Sequence, residues 1–135
     1  MDPLLEEEPP SVDDVLSPVA GAAQRARDLI TQACLRWKMP HLLAPAALVV
    51  TELVTNAVQH ARTMVDLHLV RGRRYLLILA CDGSSTVPAT PRAAADDTPE
   101  LLTERGRGLM IVEATAAGWG ARQIPGGKLV WAALR

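Results

Sequence analysis

Glu52 and Asn56 stand four residues apart within residues 48–60, which read Leu-Val-Val-Thr-Glu-Leu-Val-Thr-Asn-Ala-Val-Gln-His. Those residue types at that spacing suit one kind of chemistry. A carboxylate can accept the proton of an attacking hydroxyl, and an amide oxygen one turn on can hold a hydrated divalent cation. The spacing works only on a helix, and the stretch predicts one. Apolar residues at 49, 50, 53, 54, 57 and 58 form a wide stripe, while Glu52, Thr55, Asn56 and Gln59 make a narrow polar line. A helix buried on one face, with Glu52, Asn56 and Gln59 merely solvated, gives the same pattern. The stretch by itself leaves both readings open.

Two further features add to it. Asp82 closes an apolar run, residues 75–81, and is followed by Gly83, Ser84 and Ser85. A carboxylate at the mouth of a pocket behind a core strand accepts a hydrogen bond from the exocyclic amine of adenine, and it rejects guanine, which offers a carbonyl there. Ser84 or Ser85 can offer hydroxyls to the base or to a bound water. Downstream, Arg105-Gly106-Arg107-Gly108-Leu109 opens an expected helix. Gly106 and Gly108 permit close backbone approach, the helix start turns free N–H groups toward an anion, and Arg105 and Arg107 can bond phosphate oxygens. Taken singly, Asp82-Gly83 also reads as a turn, and Gly-Arg-Gly as a plain loop terminus. His60, His68, Thr115, Trp119 and Trp131 read most simply as packing or surface residues.

These side chains need a scaffold, and the chain of 135 residues is long enough for one domain with a real core. With 49% apolar residues, only 3% aromatic and no Phe, that core is expected to be Leu, Val, Ile and Ala. A net charge of −1 without a Lys/Arg cluster argues against a nucleic-acid binder. Cys34 and Cys81 lie in apolar stretches without C-x-x-C spacing, as expected of reduced core residues rather than metal ligands. The acidic N-terminus lacks a signal-peptide pattern, and no uninterrupted apolar run reaches membrane-spanning length. A cytoplasmic protein with no membrane partner is expected.

Residues 1–12, with Glu6, Glu7, Glu8, Pro9 and Pro10, predict a flexible acidic tail ahead of a single domain over 13–135. A short edge strand over 12–16 precedes a helix capped by Ser17 and Pro18, which Pro40 closes after Lys38. Pro45 opens the helix carrying Glu52 and Asn56. Residues 65–69 alternate as a half-buried strand, and residues 75–81 read as a central strand covered on both faces. Residues 119–124 and 128–134 read as a hairpin around Pro125-Gly126-Gly127. Between strands and hairpin, residues 86–105 carry Pro88, Pro91, Pro99 and Asp96-Asp97; a loop of that length is usually functional or disordered. The order predicts an α/β (α+β) two-layer sandwich, with a mixed, mostly antiparallel sheet and helices on one face.

Jointly, Glu52-Leu-Val-Thr-Asn56-Ala-Val-Gln-His60-Ala, Asp82-Gly83, Arg105-Gly106-Arg107-Gly108-Leu109 and Gly126-Gly127-Lys128 with Trp131 resemble the GHKL ATPase superfamily. Within it the chain is most similar to the single-domain anti-sigma-factor serine kinases of RsbW type, over about residues 15–135. The resemblance implies a Bergerat-type fold that binds ATP and Mg2+ beneath a lid at about residues 86–107. By position Glu52 resembles the catalytic base, Asn56 the magnesium ligand and Asp82 the adenine-reading aspartate. Gly83, Ser84, Arg105, Arg107 and Leu109 fall in the same nucleotide-binding boxes, and Gly106 and Gly108 match the lid-hinge glycines beside the phosphates. The partners implied are a sigma factor and a STAS-domain anti-anti-sigma protein carrying the acceptor serine. Members often form homodimers.

One box departs from the family pattern. Asp-x-Gly-x-Gly is replaced by Asp82-Gly83-Ser84-Ser85, so the later glycines are missing. Two functions follow as expectations. Glu52 favours an ATP-dependent serine/threonine protein kinase acting on a STAS-type antagonist. The altered box favours a non-catalytic protein-binding switch of the same fold, ATP-dependent or nucleotide-free.

Overall fold

Apolar residues alternate where the chain is extended and recur three and four apart where it coils, so each element has one face to bury. The computed structural model describes residues 9–84 and 104–135, the side chains of 104–107 excepted. In chain order the elements are β1 (Ser11–Leu16), α1 (Ala22–Arg36), a 3-10 turn (Pro40–Leu42) and α2 (Leu43–Asn56), which a π turn (Ala57–Ala61) prolongs. Then come β2 (Val65–Arg71), β3 (Leu76–Asp82), α3 (Glu104–Thr115), β4 (Gly118–Ile124) and β5 (Gly127–Leu134). The strands form one sheet in the order β1-β2-β3-β5-β4, and every neighbouring pair is antiparallel. The helices lie on one face of it. The expected two-layer α+β sandwich is what forms, with an antiparallel sheet in place of a mixed one.

The core lies between the layers. Leu67 and Leu69 of β2, Leu76 and Ile78 of β3 and Leu134 of β5 meet Ile30 of α1 and Val49, Val50 and Val54 of α2, all fully buried. Truncating any of the leucines to Ala costs about 2–5 kcal/mol. Leu77, Leu79 and Cys81, the alternate residues of β3, are only half-buried. Coverage of that strand on both faces is therefore corrected: the helices take one face, and the residues on the other stay half-buried.

Local starts and stops also differ from expectation. The first strand begins at Ser11, one residue ahead of the expected edge strand over 12–16. Ser17 and Pro18 form a turn instead of a cap, Val19 N–H bonding Ser17 O and Ala22 N–H bonding Val19 O. The helix then begins at Ala22 behind Gly21, without a side-chain cap. It ends at Arg36 with Trp37 as its C-cap, two residues short of the expected Lys38, and the stop is made at Lys38 before Pro40 is reached. Lys38 takes the left-handed conformation (φ 57°), Met39 N–H reaches back to Cys34 O at 2.8 Å and Lys38 N–H to Leu35 O at 3.4 Å, the two bonds of a Schellman stop. Pro40–Ala61 is long and apolar enough to cross a bilayer by composition. Its apolar character has a local cause, since Ala46, Val49, Val50, Leu53 and Val54 are buried in the core.

Candidate functional site

With Val49, Val50, Leu53, Val54 and Ala57 turned to the core, Glu52 and Asn56 are left half-buried on the flank that α3 meets. Leu109 and Val112, both buried, dock α3 there. Gly108 faces the polar line. A Cβ added to it would lie 2.8 Å from Glu52 Oε2, 3.4 Å from Asn56 Nδ2 and 3.5 Å from Asn56 Oδ1. The first distance is shorter than a carbon tolerates, so only glycine leaves the carboxylate where it is. Glycine inside a helix costs roughly 0.5–1 kcal/mol relative to alanine, and here the space it leaves lies against two candidate ligand groups.

The start of α3 corrects one expectation. Gly106 and Gly108 lie within its first turns instead of ahead of it, because the helix begins at Glu104. The free N–H groups are those of residues 104–107. The side chains of Arg105 and Arg107 lie outside the described residues, as do Ser85 and residues 86–103 of the expected lid.

Asp82 ends β3 on the helix-covered face. Its Oδ1 accepts the Ser84 N–H at 2.8 Å, and its Oδ2 lies 3.2 Å from Lys128 Nζ, with side-chain exposures of 3% and 9%. Lys128 stands directly opposite Asp82 in the β3–β5 register. Gly127 makes room for this: a Cβ there would overlap the carbonyl oxygen of Asp82 and stand 3.0 Å from Gly83 Cα. Gly83 donates its N–H to Thr63 Oγ1 at 2.8 Å, and Thr63 in turn donates to Met64 O at 3.2 Å. Thr63 follows the π turn that ends α2, so the loop below Asn56 and the loop beyond Asp82 are tied together. Cys81 lies beside Asp82. Burial, then the charges of Asp66 and Asp82, push its thiol above the ordinary value.

Thr63 was not singled out in the sequence, and Lys128 entered only within the Gly126-Gly127-Lys128 box, without a role of its own. Both act across strand or loop pairings that no local pattern reveals. Among the described residues no three His, Cys, Asp or Glu side chains gather to hold a metal. Asn56 beside Glu52 is the donor set on offer, and it suits a cation that keeps most of its water, as Mg2+ does.

Residues 17–134 match the model of the histidine kinase-like ATPase domain. The chain belongs to that family. Its fold is the GHKL, RsbW-type fold that the motifs resemble. Among solved structures it is similar to the RsbU and RsbW domains of Rv1364c from Mycobacterium tuberculosis, with a TM-score of 0.67 and 16% identity. That match covers 93% of this chain and 32% of the other, so the chain spans about a third of that protein. No curated protein matches the chain. As a histidine kinase-like ATPase domain, it carries the coarse function of an ATP-binding, kinase-like protein.

Proposed function

We propose that this chain is an ATP-dependent serine/threonine protein kinase of the anti-sigma type. In this reading it binds a sigma factor and phosphorylates a STAS-domain antagonist in the cytoplasm, with homodimers as its assembly. The observation that carries it is the meeting of Glu52, Asn56 and Gly108. A structural helix–helix contact has no need of a carboxylate and an amide crowded against the one residue type that leaves a gap.

The chemistry of the donor set fits Mg2+ and ATP, since the carboxylate of Glu52 and the amide of Asn56 meet at Gly108, where a side chain would displace them. When bound, Mg-ATP supplies the phosphoryl group and the cation that offsets its charge. Asn56 Oδ1 offers a neutral oxygen to that cation. Glu52 Oε2 accepts the proton of the incoming serine hydroxyl, and its half-burial limits competition from water. Asp82 would hold the base, with its carboxylate fixed by the Ser84 N–H and the Gly83 N–H tied to Thr63. The N–H groups at the start of α3, with Gly106 and Gly108, would hold the phosphates, and Arg105 and Arg107 would supply positive charge to them.

The test is transfer of labelled phosphate from Mg-ATP to a cognate STAS protein. Glu52→Gln should lower transfer by about a hundredfold or more with ATP affinity nearly unchanged. One observation favours a second reading. Both oxygens of Asp82 are already engaged, as suits a switch that binds its partners without transferring phosphate. In that case Glu52→Gln alters nothing, and labelled ATP leaves the partner unmarked.

A further inference from the structure

We propose that Lys128 makes this site read the purine edge with a donor as well as an acceptor, so that 6-oxopurine nucleotides of the GTP class are accepted alongside ATP. The inference rests on the reading that a nucleotide occupies the site. Its origin is the pairing of Asp82 with Lys128.

A lone carboxylate at the end of a core strand selects an amino group and repels a carbonyl. In this chain the carboxylate is not alone. Lys128 Nζ stands 3.2 Å from Asp82 Oδ2, and both side chains are buried. The pairing is set by the backbone, since the two residues are direct cross-strand partners and Gly127 brings β5 onto Asp82. A buried ion pair is a weak source of stability, because the cost of removing two charges from water offsets most of their attraction. Its location is better explained by recognition.

An ammonium carries three N–H donors. Among the described residues Asp82 is the one partner of Nζ, so donors remain for a group entering beside the carboxylate. Adenine presents a donor at its 6-amino group and an acceptor at N1. A 6-oxopurine presents an acceptor at O6 and a donor at N1. An acceptor and a donor side by side can meet either edge, with the long Lys128 stem taking up the exchange. Asp82 takes the amine and Lys128 gives to N1 in one case; Lys128 gives to O6 and Asp82 takes N1–H in the other. A site that hydrogen-bonds one edge alone discriminates by leaving buried polar groups unpaired against the wrong base, and Lys128 removes that penalty.

The experiment is calorimetric titration of the full chain with the non-hydrolysable analogues AMPPNP and GMPPNP, each with Mg2+. The unmodified protein is expected to bind the two within about tenfold of one another. Lys128→Met should then lose GMPPNP selectively, so that the preference for AMPPNP widens by about a hundredfold. An unmodified protein that binds AMPPNP but prefers it over GMPPNP more than a hundredfold overturns the inference and leaves the proposed function standing. That comparison needs no variant to fold. If neither analogue binds, the inference and the kinase reading fail together.

Discussion

Gly108 rests against the carboxylate of Glu52 with no room for a methyl group between them. Gly108→Ala therefore sets two effects against each other. Alanine is the better helix former by about 0.8–1 kcal/mol, so the fold should hold or gain slightly. Glu52 and Asn56 must move to admit the methyl group. The expected outcome is an unfolding midpoint close to that of the parent, with ATP affinity lowered about tenfold and phosphotransfer lowered further, since small misplacements at a reacting centre are expensive. Thermal melts and calorimetry on the same preparation separate the two. Undisturbed binding and transfer would mean that Oε2 swings aside freely.

Thr63 fastens Gly83, and that bond is testable without touching a proposed ligand. Thr63→Val keeps the methyl that packs 3.1 Å from the Cβ position of Gly83 but deletes the oxygen that takes its N–H. Because Gly83 is exposed, water can replace the lost acceptor, and the stability cost should be about 0.5–1.5 kcal/mol. ATP affinity should fall several-fold, because the loop beyond Asp82 is no longer tied to α2. Thr63→Ser should retain both properties. Urea midpoints and dissociation constants for the three proteins provide the check.

The sequence carried those parts of the fold that repeat locally. The polar line of Glu52 and Asn56 was visible because a 3.6-residue period isolates it from Val49, Val50, Leu53 and Val54. The closing hairpin was visible because Pro125 and Gly126, the latter at φ 81°, supply the dihedrals that a tight turn demands. What depended on tertiary context stayed hidden. Gly106 and Gly108 were read as opening a helix, and they lie inside its first turns because it begins at Glu104, with Gly108 set against Glu52. Lys38 is a poor residue for a left-handed stop, yet burial of Trp37 and Met39 on either side holds it there. The partnership of Asp82 with Lys128 belongs to the β3–β5 register, which pairs residues far apart along the chain.

Lys38 offers a stability gain for that reason. A non-glycine residue in the left-handed region costs roughly 1–2 kcal/mol. Lys38→Gly removes that strain but enlarges the freedom of the unfolded chain, which returns about 0.4–1 kcal/mol of the benefit. A net stabilisation of about 0.5–1 kcal/mol is expected by urea denaturation, with ATP binding unaffected because Lys38 is none of the proposed ligand residues. A loss of stability would show that the Lys38 stem contributes packing that outweighs its dihedral cost.

Alkaline stability follows from the two thiols. Burial raises the Cys34 thiol above its ordinary value of 9.0. Cys81 is raised by burial first, then by the nearby charges of Asp66 and Asp82. The folded chain thus holds both protons more tightly than the unfolded chain does. The stability this provides is fully present below about pH 9, the ordinary thiol value, and is lost as the pH climbs beyond it. Denaturant midpoints measured across the alkaline range should fall for the parent, and fall less steeply for the Cys34→Ala and Cys81→Ala double variant. Parallel decline in both proteins would assign the loss to other groups.

Asp82 and Lys128 should prove unequal partners. Asp82→Asn leaves the ammonium buried with its one acceptor among the described residues weakened, and breaking a buried pair from one side typically costs about 3–5 kcal/mol. Lys128→Met leaves the carboxylate with the Ser84 N–H still bonded at 2.8 Å, so its cost should be smaller. Combining the two substitutions removes both charges and should recover most of the stability, because no unpaired ion remains. A double-mutant cycle in urea is expected to give a coupling of about 2 kcal/mol or more. Additive losses would mean that the two charges do not meet in solution, and the dual reading of the purine edge would lose its physical basis.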